Sequence, residues 1–183
     1  MRSDGFQPSS ERDMMSHILH EMESASEAFE MMDIRNEVRQ FMTHNTAEIM
    51  PAQQAEWYRE TYLPARERGE LFGYLVKNED QTIGYGLISK RDGRWWVSGG
   101  LKSEARGQGA GYFLFEQMTL MIHEDLRSEE AWLNVLNSNE GARRLYEKLG
   151  YTAVMADERL TVMVHRLEHE EAESVKLEEA VAA

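Results

Sequence analysis

Two stretches of this sequence carry residues whose types and spacing could do chemistry, and the first lies between Leu101 and Tyr112. Its three glycines, Gly107, Gly109 and Gly111, stand at the start of a predicted amphipathic helix. Glycine permits positive φ and close backbone approach, and a helix N-terminus adds unpaired N–H groups and a partial positive charge. An anion such as a pyrophosphate is the natural ligand of such a segment.

The spacing of these glycines decides which of the known phosphate-binding patterns the segment can match. A P-loop is excluded because no Gly-Lys-Ser/Thr follows at the required distance. The dinucleotide fingerprint needs Gly-x-Gly-x-x-Gly and an acidic end to the next strand, whereas here the third glycine is Gly111 and the next strand is predicted to end at Leu136-Asn137. Arg106, Gly109 and Gly111 instead fit Arg/Gln-x-x-Gly-x-Gly/Ala. On these residues alone, a glycine-rich helix start without a ligand remains an alternative.

The second stretch, from Trp132 to Tyr151, reads as a strand followed by Asn-x-x-Ala-x-x-Leu-Tyr-Glu-Lys-Leu-Gly-Tyr. Together, and in this order, the two stretches resemble the cofactor-binding motifs of the GNAT superfamily of N-acetyltransferases. The likeness covers residues 71 to about 167. Residues 35–39, with Gln53 and Trp57, are more weakly similar to the N-terminal helices of members that act on amino-sugars or protein N-termini.

The resemblance implies a site for acetyl-CoA, which is the acyl donor, between two strands that splay apart and leave the edge of residues 98–101 free. It implies backbone N–H groups near Gly100 and Leu101 that polarise the thioester oxygen, and Tyr146 as general acid toward the departing sulfur. The residues expected to contact acetyl-CoA are Gly100, Leu101, Arg106, Gly107, Gln108, Gly109, Ala110, Gly111 and Asn139. Asn139 could equally be the helix N-cap.

The general base is left open by the sequence. Some relatives have a Glu on the strand at the position of Asn134, and Asn cannot take a proton at neutral pH. His44, Glu104 and a chain of water molecules are the alternatives. No metal site is expected.

The elements that must position these residues are read from hydrophobic periodicity and turn signals. A helix-forming stretch runs from about Arg12 to Met42, and a second helix from Ala52 to about Tyr62 is expected to end at Pro64. The remaining predicted elements are strands at 71–76, 82–89 and 94–101, a helix at 110–124, a strand at 131–136, a helix at 139–149, and strands near 151–155 and 159–166. The predicted fold is a mixed α/β, GNAT-type sheet: an antiparallel N-terminal meander, then βαβαββ, with helices on both faces.

Composition limits the classes of partner. Of the net charge of −13, residues 1–30 and 168–183 each carry −5, which leaves −3 for residues 31–167. We therefore predict an acyltransferase domain at 31–167 between a helical, acidic N-terminal extension (1–30) and an acidic C-terminal tail (168–183). The sequence shows no basic stripe for nucleic acid, no apolar run of the ~18–20 residues that cross a membrane, and no cysteine. A cytoplasmic location is the default expectation.

The predicted function is direct transfer of an acetyl or other acyl group from acetyl-CoA to a primary amine of a small molecule, amino-sugar or peptide. A second hypothesis is a binding or regulatory module that keeps the CoA site without turnover. Dimerisation is common in the family, so the resemblance also allows a homodimer. Trp95 and Trp96 could line the acceptor pocket or pack in the core, and alternation places them on opposite faces.

Overall fold

A computed structural model describes residues 17–79 and 81–167, which form one seven-stranded sheet in the order β1-β2-β3-β4-β5-β7-β6. Its strands are β1 (His17–Glu21), β2 (Leu71–Asn78), β3 (Gln81–Arg91), β4 (Arg94–Leu101), β5 (Glu130–Leu136), β6 (Thr152–Ala156) and β7 (Leu160–Arg166). Neighbouring strands are antiparallel except β4 and β5, which run parallel. The predicted mixed sheet is confirmed.

The helices cover both faces of this sheet, as predicted. They are α1 (Ala25–Glu37), α2 (Pro51–Glu56), α3 (Leu63–Glu67), α4 (Ala110–Glu124) and α5 (Glu140–Lys148). Consecutive residues of β3 mark the two faces: Tyr85 packs in the core cluster that includes α1, and Gly86 faces α4. Because successive residues of a strand point to opposite faces, α1 and α4 lie on opposite sides of the central strands.

Two glycines let these helices lie very close to the strands. A Cβ built at Gly86 would stand 2.5 Å from the sulfur of Met118 on α4. A Cβ at Gly100 would stand 2.8 Å from Cγ2 of Val38, the residue that ends α1. Since real Cβ atoms do not approach other atoms this closely, a side chain at either position would force Met118 or Val38 to move.

The N-terminal segment differs from its prediction. Residues 17–21, expected to be helical, form β1 and pair with β2 from His17↔Asn78 to Glu21↔Tyr74. Helix propensity is a weak preference that tertiary pairing overrides, and here the edge of β2 supplies the pairing. The helix begins only after Ser24, which forms a capping box with Glu27. The rest of the predicted extension, residues 1–16, and the tail at 168–183 lie outside the described residues.

Pro64 does not end its helix, contrary to the prediction. The chain passes from α2 through a π-helical turn at Trp57–Tyr62 into α3, where Leu63 N–H bonds back to Tyr58 O, five residues earlier. A proline within an α-helix lacks an N–H and clashes with the carbonyl four residues before it. The wider π turn directly before Pro64 relieves that clash. None of the helices in residues 17–79 and 81–167 is long and apolar enough to span a bilayer.

Tyr62, in this π turn, ties three parts of the fold together. Its side chain is fully buried, and its hydroxyl donates to Met22 O at 3.0 Å and accepts from Gly73 N–H at 3.2 Å. Burial raises the pKa of Tyr62 above its usual range, so the hydroxyl remains a donor at neutral pH. It therefore satisfies backbone groups after β1 and within β2 at the same time.

We expect Tyr62→Phe to lower the free energy of unfolding by about 1–3 kcal/mol, because it leaves two buried backbone groups without their partner. Tyr58→Phe is the matched control: its hydroxyl donates to Glu23 O at 3.0 Å in an exposed setting, and we expect a loss of less than about 0.5 kcal/mol. Urea unfolding of both variants measures the difference. Equal losses would show that the Tyr62 hydrogen bonds do not stabilise the fold as described.

Candidate active site

The site begins where β4 and β5 part. Their parallel pairing consists of Trp95↔Ala131 and Trp96↔Trp132 and goes no further. Beyond it, β4 stays paired with β3 as far as Leu101, and β5 stays paired with β7 as far as Leu136. The two strands therefore diverge, as the resemblance implied, and leave the edge of residues 97–101 without a strand partner on that side.

A cavity of about 1080 Å³ occupies this opening. Eight of the ten residues expected at the site line it, namely Gly100, Leu101, Arg106, Gly107, Gly109, Gly111, Asn139 and Tyr146. The structure does not bring the other two to the cavity: Ala110 is fully buried, and the Gln108 side chain donates to Glu104 O at 3.0 Å. Contact of any of these residues with a cofactor remains a prediction.

The glycine-rich loop has the backbone form expected of an anion site. Gly107 and Gly109 have φ of +75° and +84°, a region that costs other residues steric strain. Gly109 is the N-cap of α4, and the first hydrogen bond of the helix runs from Phe113 N–H to Gly109 O at 3.0 Å. The N–H groups of residues 110–112 therefore have no acceptor within the helix, and they lie where the loop meets the cavity.

Helix α1 anchors the segment that leads into this loop. Glu37, at the end of α1, accepts the Ser103 N–H at 2.7 Å, and this hydrogen bond holds the pKa of the Glu37 carboxyl below its usual range. The Arg106 guanidinium lies 4.8 Å from the centroid of the Phe41 ring, just after α1. A cation over an aromatic face is attracted by it. The loop is thus fixed from the side of the cavity opposite α4.

The free edge of β4 presents backbone N–H groups to the cavity. Lys102 N–H donates to Ile83 O on β3 at 2.9 Å. Because backbone groups alternate in direction along an antiparallel strand, Gly100 N–H also faces β3, while those of Gly99 and Leu101 face the opening. The N–H groups directed into the opening are thus those of Gly99 and Leu101, and a polarising role for the backbone near Gly100 and Leu101 remains a prediction.

Gly99 and Gly100 mark a close approach and not a bulge. The register of β3 and β4 continues through both residues without a shift. A Cβ at Gly99 would collide with Tyr85 O, and one at Gly100 would collide with Val38. Glycine at these positions therefore lets Leu114 of α4 and Val38 pack directly on β4.

Tyr146 enters the cavity from α5. It packs edge-on against Phe115 with ring centroids 4.8 Å apart, and burial raises its pKa well above the usual range. Within the described part of the chain, its hydroxyl has no hydrogen-bond partner, so it is free to donate into the cavity. Asn139 is the N-cap of α5 and accepts Ala142 N–H at 3.2 Å; it also lines the cavity.

Of the two side chains considered as general base, the structure places only one at the cavity. Glu104 is exposed on the short turn Ser103–Ala105 and does not line the cavity. His44, in the connection between α1 and α2, does line it, and its Nε2 lies 3.5 Å from Nδ2 of Asn134 on β5. His44 thus lies beside Asn134, the strand position at which the resemblance implies a Glu in some family members. In residues 17–79 and 81–167, no three His, Asp or Glu side chains gather closely enough to hold a metal ion.

The wall of the cavity beside α1 contains residues that sequence reasoning found only weakly. Arg35 donates to the carbonyl oxygens of Asn45 and Ala47, and Asn36 bonds both N–H and C=O of Ile49, so α1 holds the connection of residues 43–50 in place. Gln53 and Trp57 also line this wall.

Tyr85 was missed as a lining residue. The apolar alternation of β3 could have indicated it, because Tyr85 and Leu87 share the face toward α1 and both line the cavity. Burial raises the pKa of Tyr85 to about 12. Trp95 lies in the core and Trp96 packs against Trp132, with centroids 5.8 Å apart; neither lines the cavity.

The sequence profile described as "Acetyltransferase (GNAT) family" matches residues 31–151, more than half of the chain. The chain belongs to the GNAT acetyltransferase family. A comparison of the GNAT chain with curated proteins finds no match.

Solved structures with the same fold cover most of this GNAT chain at low identity. FdhC, a nucleotide-linked sugar GNAT, is 16% identical with a TM-score of 0.68, over 91% of this chain and 92% of its own. RimL, a ribosomal L7/L12 alpha-N-protein acetyltransferase in complex with coenzyme A, is 9% identical with a TM-score of 0.70, over 83% and 94%. Spermidine N-acetyltransferase from Vibrio cholerae, in complex with CoA and spermine, is 14% identical with a TM-score of 0.69, over 83% and 96%. These likenesses show the fold.

The burial of Tyr146 predicts its alkaline titration. A phenol whose pKa is raised on folding adds stability below its unfolded pKa of about 10, and this stability is lost as pH rises toward the folded pKa. Tyr146→Phe should therefore remove one phenolate from the absorbance change at 295 nm that accompanies alkaline unfolding, and none from the change before it. If Tyr146→Phe instead removed a phenolate from the absorbance change that precedes unfolding, Tyr146 would be accessible to hydroxide in the folded protein.

Proposed function

We propose that this chain transfers an acetyl group from acetyl-CoA directly to a primary amine of a small molecule, amino-sugar or peptide. The observation that carries the proposal is a single cavity, between the parted strands β4 and β5, whose lining includes the glycine loop before α4, the free edge of β4 and the buried Tyr146. Membership of an acetyltransferase family supports the same reaction class.

The donor would be held by backbone groups of the loop and by one side-chain cation. The unpaired N–H groups at the start of α4 and the partial positive charge of that helix suit a pyrophosphate. Gly107 and Gly109 have no atom within 4 Å of a built Cβ, which leaves room for phosphate oxygens to reach the backbone. Arg106 adds a positive charge beside them. These features fit the phosphate-bearing end of CoA.

The transfer needs three contributions from the protein: a proton acceptor for the amine, stabilisation of charge on the carbonyl oxygen, and a proton donor for the sulfur. The amine nitrogen forms a bond to the thioester carbonyl carbon, the carbon–sulfur bond breaks, and one proton leaves the nitrogen while another reaches the sulfur. Leu101 N–H, which faces the opening, would stabilise the charge that grows on the carbonyl oxygen. Tyr146 would give its proton to the sulfur; its raised pKa keeps that proton in place at neutral pH.

A second candidate function is a CoA-binding module without turnover. It is favoured by Asn134, an amide on the cavity side of β5 where some relatives have a carboxylate. The two candidates share the donor site and differ in whether any amine is acetylated.

The melting temperature in the presence of acetyl-CoA, CoA, NAD or ATP tests the donor site. A ligand that binds only the folded state adds about 2.7 kcal/mol at 100 times its dissociation constant, so we expect a clear rise with acetyl-CoA and CoA alone. Thiol release with a panel of amino-sugars, polyamines, amino acids and peptides then separates the candidates: turnover supports the transferase, and binding without any turnover supports the module. A rise with NAD or ATP alone would contradict both.

We expect Gly109→Leu to abolish the rise in melting temperature with acetyl-CoA, because a side chain at this position occupies the space left for the phosphates. Gly93→Leu is the matched control. Gly93 also has positive φ, +74°, and open space around a built Cβ, but it lies in the turn between β3 and β4, away from the cavity. Both variants carry a similar backbone strain, roughly 1–2 kcal/mol. Equal binding of acetyl-CoA by the two variants would mean that the donor site is wrongly placed.

A further inference from the structure

The proposed reaction requires a proton acceptor, and the cavity offers few. Among the described residues that line it, His44 and Glu48 alone are side chains that can take up a proton near neutral pH. Glu48 is largely exposed and is paired with Arg39 at 3.3 Å. His44 has no carboxylate partner among the described ion pairs. It contacts Asn134 across the cavity.

The contact with Asn134 indicates how the imidazole is oriented. The amide nitrogen of Asn134 is a donor, so it can bond to Nε2 in the tautomer of His44 that carries its ring proton on Nδ1. At 3.5 Å this hydrogen bond is long, and an incoming amine can compete for the same lone pair. The neutral imidazole therefore presents its basic nitrogen toward β5, the strand that forms one wall of the opening.

The backbone on both sides of His44 is fastened to other elements. Before it, Thr43 O accepts from Arg159 Nη2 at 2.9 Å, and Arg159 belongs to the connection between β6 and β7. That connection is itself closed by Asp157, whose carboxylate accepts the N–H groups of Arg159 and Leu160 at 2.7 and 2.6 Å. After it, Arg35 binds the carbonyls of residues 45 and 47. These hydrogen bonds fix the backbone position of His44 at the cavity.

We infer that His44 is the general base of the proposed acetyl transfer and that Asn134 is a positioning residue that orients it. The inference rests on the proposed function. Nε2 of His44 takes the proton that leaves the amine as the nitrogen bonds to the carbonyl carbon, and the imidazolium later returns that proton to solvent. Tyr146 separately protonates the sulfur, and its phenolate regains a proton from solvent, so the protons balance over one turnover.

The charged groups around His44 come from every element that packs near it. They are Arg35 from α1, Arg39 from the turn after α1, Glu48 from its own connection, and Arg159 with Asp157 from the connection of β6 and β7. β5 contributes the neutral Asn134. A reaction that needs the neutral imidazole slows as that imidazole is protonated, so the pH profile of kcat should show one protonation on its acid side.

The test compares His44→Gln with His17→Gln, a control on β1, where the imidazole stacks near Phe113 outside the cavity. With the amine from the panel that reacts fastest, we expect His44→Gln to lower kcat about 100-fold or more, to lose the acid limb of the pH profile, and to keep the melting shift with acetyl-CoA. His17→Gln should change none of these. An active wild type with a His44→Gln variant within about threefold of its kcat would overturn this inference alone.

A second variant tests the shared geometry of His44 and Asn134. A carboxylate in place of Asn134 would face the same amine proton that His44 is proposed to take. The double variant H44Q/N134E should therefore recover at least about tenfold of the lost kcat. Its pH profile should no longer be that of an imidazole. No recovery would contradict the facing arrangement. A wild type that binds acetyl-CoA but acetylates no amine would overturn the proposed function, and this inference with it.

Discussion

The parallel contact between β4 and β5 is the constraint on which the rest of the structure depends. It is short, and it is held at its closed end by a cluster of aromatic rings and cations: Trp96 lies against Trp132, Arg91 lies over Trp96, and Arg94 lies over Trp132 at 4.5 Å. Past this cluster, the backbone groups of both facing edges have no strand partner. Buried polar groups without partners are costly, so the opening has to be filled by water or by a ligand that can hydrogen-bond.

The walls of the opening keep their shape because each has a continuous partner on its other side. β4 is paired with β3 along its whole length and β5 with β7 along its whole length. The start of α4 and the start of α5 both lie at the cavity, through Gly109 and Asn139. The connection of residues 43–50 is the remaining wall, and hydrogen bonds from α1 and from the β6–β7 connection hold it. Rigid strands and an anchored connection thus surround one space.

Local signals predicted the central part of the fold well. The turn predicted at residues 91–93 is a two-residue turn at Asp92-Gly93, both with positive φ, so that β3 runs two residues beyond its predicted end while β4 begins as predicted. Gly109 marked the first residue of α4 correctly. β1 was missed because it lies in a stretch without Gly or Pro that is rich in Glu, Met and Ala, and its strand state depends on an edge more than 50 residues away in sequence. The placement of His44 beside Asn134 joins residues 90 apart and follows from the folded connection alone. The residues that line the wall of the cavity beside α1 could not be predicted either, because they too are brought together by the folded connection.

The glycines at 86 and 100 have a consequence for how this protein can change over generations. The atoms that a Cβ would meet at these positions belong to side chains, chiefly Met118 of α4 and Val38 at the end of α1, so these side chains rest directly on the strand backbone. Met31 and Met42 of the α1 wall are not among these contacts, so exchanges there leave the fit of both helices on the strand glycines intact. The α1 side of the cavity can therefore diverge among descendants of this protein while the glycine loop keeps its place.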